Sequence, residues 1–197
     1  MDQPLPIAVF LSGSGRTLRN LIQHQRNHNL PVEIRLVISS SATAGGLQIA
    51  ADAGIPSLVV RKGEHPDASV YCQAMFQPCR QAGIELVVMA GFLNHVLIPD
   101  DFFRRVINIH PSLIPAFCGQ GMYGTLVHHA VVKKGVQVTG CTVHYVDNIY
   151  DNGPIMLQRW CPVLASDTPE TVAKRVFELE CEALPTAIKS ICETAQA

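Results

Sequence analysis

No Cys-x-x-Cys pair occurs among the seven cysteines, Cys72, Cys79, Cys118, Cys141, Cys161, Cys181 and Cys192, and their number is odd. A disulfide framework and a structural zinc site are both disfavoured by that spacing. The thiols read as reduced and mostly buried, as in a cytosolic protein. Charge is also scarce. Only 16% of the 197 residues are charged, the formal net charge is -1, and the densest basic groupings are FFRRV and VVKKG. Neither nucleic acid nor an anionic membrane is expected as a partner. No apolar run approaches the roughly 20 residues of a membrane span. The start, MDQPLPIAVFLSG, lacks the basic segment and long apolar core of a signal peptide. The expectation is a soluble cytoplasmic protein that binds small molecules. An anionic ligand remains allowed, because it needs only a few local cations. Familiar cofactor and nucleophile signatures are missing as well. Leu18 stands where a dinucleotide fingerprint needs its third glycine, no Gly-Lys-Ser/Thr loop follows a strand, and no Gly-x-Ser-x-Gly elbow is present.

What is present is a large apolar fraction, 48% of the chain, enough for one core and one domain over residues 1–197. Strand-like and helix-like stretches alternate: strands at 7–12, 32–39, 56–60, 84–91 and 106–109, helices at 16–27, 44–54 and 67–83. Pro78 is expected to end or kink the third helix. Strands this continuously apolar, separated by helices, predict an α/β fold with a parallel sheet covered on both faces. After Pro115 the pattern changes. FCGQGMYG (117–124) reads as a Gly-rich loop, 125–135 as a helix, and 137–147 alternates cleanly, as an antiparallel or edge strand does. DNG (151–153) signals a tight turn, 154–163 a further strand, and 166–193 a long helix with Thr168 or Asp167 as cap and Pro169 in its first turn.

Three places carry candidate chemistry. Ser12-Gly13-Ser14-Gly15-Arg16-Thr17 joins the first strand to the first helix. It suits a phosphate cradle, with backbone N–H groups, a helix N-terminus, the Arg16 charge and the Thr17 hydroxyl, and it suits a plain βα turn equally. Asn108 and His110 lie two apart on a strand that Pro111 stops, so they share a face at its exit. They suit either the binding of a developing negative charge or ordinary loop capping. His144, with Thr142 on its face, and Asp151 in the DNG turn complete the set; alone, each reads as structural. His128 and His129 are adjacent on a helix, face different directions, and read as helix surface. No ligand spacing supports a metal. An Asn, His and Asp set without an activated nucleophile suits transfer chemistry in which the substrate is its own nucleophile.

The segments FLSGSGRTL, VVMAGFL, NIHPSLIP, GCTVHYVD, YDNGPIMLQR and ELECEALP, in this order, resemble the phosphoribosylglycinamide formyltransferases over about residues 7 to 190. The resemblance implies a single Rossmann-like domain, its parallel sheet extended by a mixed C-terminal part. Residues 1–100 would form the ribonucleotide-binding half and 101–197 the catalytic and folate-binding half. It implies transfer of a formyl group from 10-formyltetrahydrofolate to the amine of glycinamide ribonucleotide in purine biosynthesis, without a metal, by a monomer or homodimer. Asn108 and a protonated His110 would stabilise the oxyanion of the tetrahedral intermediate, and Asp151 would pair with His110 and assist proton transfer. Gly13, Ser14, Gly15, Arg16 and Thr17 would hold the phosphate, and Glu180 the ribose hydroxyls. The segments Gly91 to Val96 and Val146 to Gly153 match the folate-pocket walls, with Leu93, Asn94, Val96, Val146, Asp147 and Asn148 as the binding residues, and Thr142 and His144 fall in supporting positions. Asn94 replaces an Arg of better-known members, and Gln120 stands where a divergent bacterial branch carries Lys. Hydrolysis of formyltetrahydrofolate, or another folate-dependent formyl transfer, is the alternative. The deformylases resemble the catalytic half but usually carry a preceding regulatory domain, and tend to have a second His where Asn108 stands.

Overall fold

The computed structural model describes residues 3–194. Its centre is β1 (Leu5–Leu11), whose alternate side chains feed two separate cores. Ile7, Val9 and Leu11 point to one face, Ala8 and Phe10 to the other, and all five are fully buried. Such a strand has no polar face, which is why it reads as a continuous apolar run. Around it, β2 (Val32–Ser39), β3 (Ser57–Val59), β4 (Leu86–Met89) and β5 (Val106–His110) run parallel, in the order β3-β2-β1-β4-β5. The chain leaves β1 in one direction for β2 and β3, then returns to its other side for β4 and β5. That reversal opens a crevice at the C-terminal ends of β1 and β4, the place where open α/β sheets bind ligands.

The sheet continues antiparallel through β6 (Val138–Tyr145) to β7 (Ile155–Pro162). The alternating stretch is thus antiparallel but not an edge; the edges are β3 and β7. On one face pack α1 (Arg16–Arg26), α2 (Gly45–Asp52), α4 (Thr125–Lys134) and α5 (Pro169–Thr194), through Leu18, Leu21, Ala50, Val127, Val131, Val176 and Leu184 among others. On the other lies α3 (Ala68–Gln81), through Tyr71, Met75, Phe76 and Cys79.

One local expectation changes. Pro78 does not end α3, which runs on to Gln81. A mid-helix proline costs about 3 kcal/mol, whereas burying Tyr71, Met75 and Phe76 contributes about 1.5–3 kcal/mol each. Packing therefore overrides local propensity. Between β4 and β5 a short 3₁₀ turn forms at Asp100–Phe102. At α5 the cap is Thr168, which exchanges hydrogen bonds with Thr171: Thr171 N to Thr168 Oγ1 at 3.3 Å, and Thr168 N to Thr171 Oγ1 at 2.9 Å. Asp167 instead holds Arg175 at 2.7 Å, which locks the approach to the helix.

Candidate active site

The register of β5 against β6 assembles the polar group. Asn108 pairs with His144 and His110 with Thr142 across the antiparallel ladder. His110 and His144 are almost wholly buried, at 4% and 1% exposed. His144 Nδ1 donates to the carbonyl of Tyr145 at 2.8 Å, which leaves Nε2 to accept from Asn108 Nδ2 at 3.2 Å. That fixes the amide of Asn108 and frees its second N–H. Asp151, in the left-handed conformation at φ 52°, enters from the turn before β7. Its carboxylate lies 3.5 Å from His110 Nδ1 and 3.7 Å from His144 Nε2, and accepts from the Gly119 amide at 2.8 Å. His110 Nε2 donates to the carbonyl of Phe117 at 2.9 Å. Thr142 works behind the group: its hydroxyl donates to Ser112 O at 2.7 Å and accepts from Ile114 N at 3.1 Å, pinning the segment after Pro111.

The resting site holds His110 in a different state from the protonated form expected of it in the intermediate. Burial pushes the His110 pKa below its ordinary value, and Asp151 and the Phe117 carbonyl do not make up the difference. The ring is neutral at pH 7. Asp151 moves the opposite way relative to its surroundings: burial raises its pKa, but His144, His110 and the Gly119 amide together hold the carboxyl below the usual range. It is ionised. A neutral imidazole beside a carboxylate is poised to take charge when a second negative group develops nearby.

Three contiguous cavities surround this group. The first, about 290 Å³, is lined by Gly13, Ser14, Gly15, Arg16 and Thr17 from the first turn and by Glu180 and Phe177 from α5. Gly15 must be glycine there. Its φ is 75°, and a Cβ would sit 2.4 Å from the Cα of Gly46. The second, about 70 Å³, is lined by Leu93, Asn94, Val96, Val146 and Asp147, with Asn108, His144 and Asp151 at its end. The third, about 140 Å³, joins them: it shares Gly91, Leu93, Ile109, Pro111 and Gly124 with the first and Leu93, Asn108, Tyr150 and Asp151 with the second, and His110 opens into it. Asn148 is the exception among the wall residues. It stands behind the wall, its Oδ1 accepting from Ile98 N at 2.8 Å and its carbonyl meeting His95 Nε2 at 3.0 Å.

The sequence reading missed His128, which is not helix surface but 5% exposed and lines the first cavity. Its i,i+3 relation to Val131, a core residue, is the signal that was available. His95, Ile149 and Tyr150, within the segments 91–96 and 146–153 that the resemblance assigns to the pocket walls, also line the second cavity. Among the described residues no group of three or more His, Cys, Asp or Glu is arranged to hold a metal ion, and no helix is long and apolar enough to cross a membrane.

Glu180 gives a prediction independent of activity. Burial lifts its pKa to about 7, against the opposing pull of Arg16, whose guanidinium stacks 4.2 Å over Phe177. A carboxyl with a raised folded pKa is most favourable while protonated, and folding stability is lost as pH rises from about 4.5 through about 7. Glu180→Gln is expected to match the unmodified protein at pH 5 and to exceed it at pH 8 by on the order of 2 kcal/mol, measured by urea unfolding. An equal difference at both pH values contradicts this.

The family described as formyl transferase matches residues 5–188. The chloroplastic phosphoribosylglycinamide formyltransferase of Vigna unguiculata is 36% identical over 191 residues, covering 95% of this chain and 61% of that relative's length. Two solved structures share the fold. Glycinamide ribonucleotide transformylase 1 from Symbiobacterium toebii has a TM-score of 0.91 at 35% identity, covering 98% of this chain and 90% of that one. Phosphoribosylglycinamide formyltransferase from Bacillus halodurans has a TM-score of 0.88 at 30% identity, covering 96% of each. The chain belongs to the formyl transferase family.

Proposed function

We propose that this protein transfers the formyl group of 10-formyltetrahydrofolate to the amine of glycinamide ribonucleotide, a step of purine synthesis. The observation that carries the reading is one cleft with the glycine-rich turn Gly13 to Thr17 at one end, a small mostly apolar pocket at the other, and Asn108, His110 and Asp151 between them. The names and extent of the likeness support the same chemistry.

In this reading Gly13 to Thr17 hold the phosphate and Glu180 the ribose, so that the substrate amine is directed toward the bridging cavity. Leu93, Asn94, Val96, Val146 and Asp147 form the folate wall, and Asn148 braces it. The nitrogen attacks the formyl carbon and the carbonyl oxygen becomes an oxyanion. Asn108 offers the N–H that His144 leaves free. His110 takes up positive charge as the oxyanion forms, stabilised by Asp151, and its Nε2 proton turns from the Phe117 carbonyl to the oxyanion. The Ser112 hydroxyl, which donates to the Ala116 carbonyl at 2.6 Å, also lies 3.2 Å from the Phe117 carbonyl and can turn to it when the His110 proton leaves. Asp151 passes the proton lost by the amine to His110 Nδ1, which makes the ring cationic, and a proton goes on to the folate nitrogen as its bond to the formyl carbon breaks. No net proton is consumed. Fixed donors aimed at developing charge supply the largest catalytic effect in such sites.

The division of labour follows the chain. Residues 1–100 bring the phosphate turn and 101–197 the reacting group, with Glu180 reaching back across that divide. Seven unpaired thiols support a reducing compartment, the cytoplasm. The test is formyl transfer from 10-formyltetrahydrofolate with glycinamide ribonucleotide present and omitted. Product formation only with the amine is expected; equal formate release without it points to hydrolysis instead.

A further inference from the structure

Two helices end at the first cavity, and neither has a side-chain cap. α1 begins at Gly15 and α4 at Gly124, both in positive-φ conformations, and their first residues line the same space of about 290 Å³. An uncapped helix start carries unpaired N–H groups and partial positive charge. Two of them facing one space make it doubly receptive to an anion. The sequence and the family likeness point only to the α1 side.

The α4 side carries a second, independent feature. His128 is 5% exposed, lines the cavity, and has its Nδ1 enclosed without a hydrogen-bond partner. Buried polar groups in a folded protein normally have partners, so a buried ring that lines a cavity and makes no hydrogen bond among the described residues calls for one. With Nδ1 enclosed, the ring nitrogen left to meet the cavity is Nε2. We infer that His128 and the N-terminus of α4 form the second jaw of a phosphate site, in which Nε2–H of His128 donates to a phosphate monoester held against Gly13 to Thr17.

This inference rests on the proposed function for the identity of its ligand, and it names the residue that makes the site select a phosphorylated substrate. The surroundings agree. Burial first, and then His110, His129 and Arg16, hold the His128 pKa down to about 4, so the ring is neutral and its single proton is available for donation. Arg16 and Glu180 are the charged side chains of the cavity lining among the described residues. Arg16 attracts the phosphate, and Glu180, with its pKa held near 7 by burial, is partly neutral when the anion arrives.

The test compares binding of glycinamide ribonucleotide with binding of its dephosphorylated riboside by titration calorimetry. The proteins are the unmodified chain, His128→Leu, His128→Gln and His128→Asn. His128→Leu is expected to weaken ribonucleotide binding about tenfold to a hundredfold, the usual cost of one hydrogen bond to a charged group. Riboside binding should change by less than threefold. In turnover, the loss falls on KM for the ribonucleotide rather than on kcat. His128→Gln, whose amide reaches the position of Nε2, should restore most of the affinity; His128→Asn, which is too short, should not. That last pair decides the matter if His128→Leu fails to fold. Equal weakening toward both ligands, or none toward either, overturns the assignment of His128 alone. An unmodified protein that ignores the ribonucleotide altogether overturns the proposed function with it.

Discussion

Replacing His110 with alanine is expected to slow formyl transfer by about two to four orders of magnitude in kcat, the range for a positioned acid–base group that also meets developing charge. The effect follows from the placement of the ring. It lies at the exit of β5, is 4% exposed, and faces an ionised carboxylate whose nearest oxygen is 3.5 Å away. In the resting protein burial keeps it neutral. An oxyanion forming beside it reverses that balance, and the energy of the reversal is the catalytic contribution. Substrate affinity should change little, since the gain arises only in the transition state. The fold should survive, because His110 borders an open cavity and its main-chain pairing with Thr142 of β6 remains. Stopped-flow measurement of folate product, with circular dichroism as a control for folding, checks both parts. A variant within threefold of the unmodified rate removes His110 from the reaction.

The second large effect is expected at a position with no side chain. Gly153 is buried two residues beyond Asp151, and a Cβ there would lie 1.9 Å from the carbonyl oxygen of Tyr145 and 2.8 Å from its carbon. Both are backbone atoms in a strand end already tied by the Tyr145 N to Pro154 O bond of 2.9 Å. Neither can step aside as a flexible side chain does, so the turn itself must move. Gly153→Ala is expected to cost about 1–3 kcal/mol of stability. The moving turn carries Asp151 away from His110 and His144, and a displacement near 1 Å typically costs on the order of a hundredfold in rate. Stability and kcat should therefore fall together, with KM for the ribonucleotide nearly unchanged, because its cavity lies at the other end of the cleft. An active, stable Gly153→Ala variant contradicts the packing described for this turn.

The sequence made some of this legible and hid the rest for physical reasons. The central strands declare themselves because both faces are buried and every residue is apolar. Asn108 and His110 are readable as a same-face pair from strand periodicity alone. Pro78 misleads because a local rule meets a core that outweighs it. Asp151 cannot be placed by any local pattern: it reaches His110 only through the antiparallel return of β6 and the turn before β7. The neutral state of His110 is equally invisible, since it depends on burial winning over an adjacent carboxylate. His128 escaped because two adjacent histidines on a helix suggest a solvated face, while only one of them faces solvent. The Phe117 carbonyl, which holds the His110 proton in the resting state, leaves no mark in the sequence because a main-chain group has no residue type.

The central claim is that Asn108, His110 and Asp151 act as a unit on one developing charge. The most direct measurement is kcat for His110→Ala, Asp151→Asn and the double variant under identical conditions. Groups that act as a unit lose their contribution once, so the double variant should be slowed about as much as His110→Ala alone. If the two losses multiply instead, the carboxylate and the imidazole work on separate steps and the account fails.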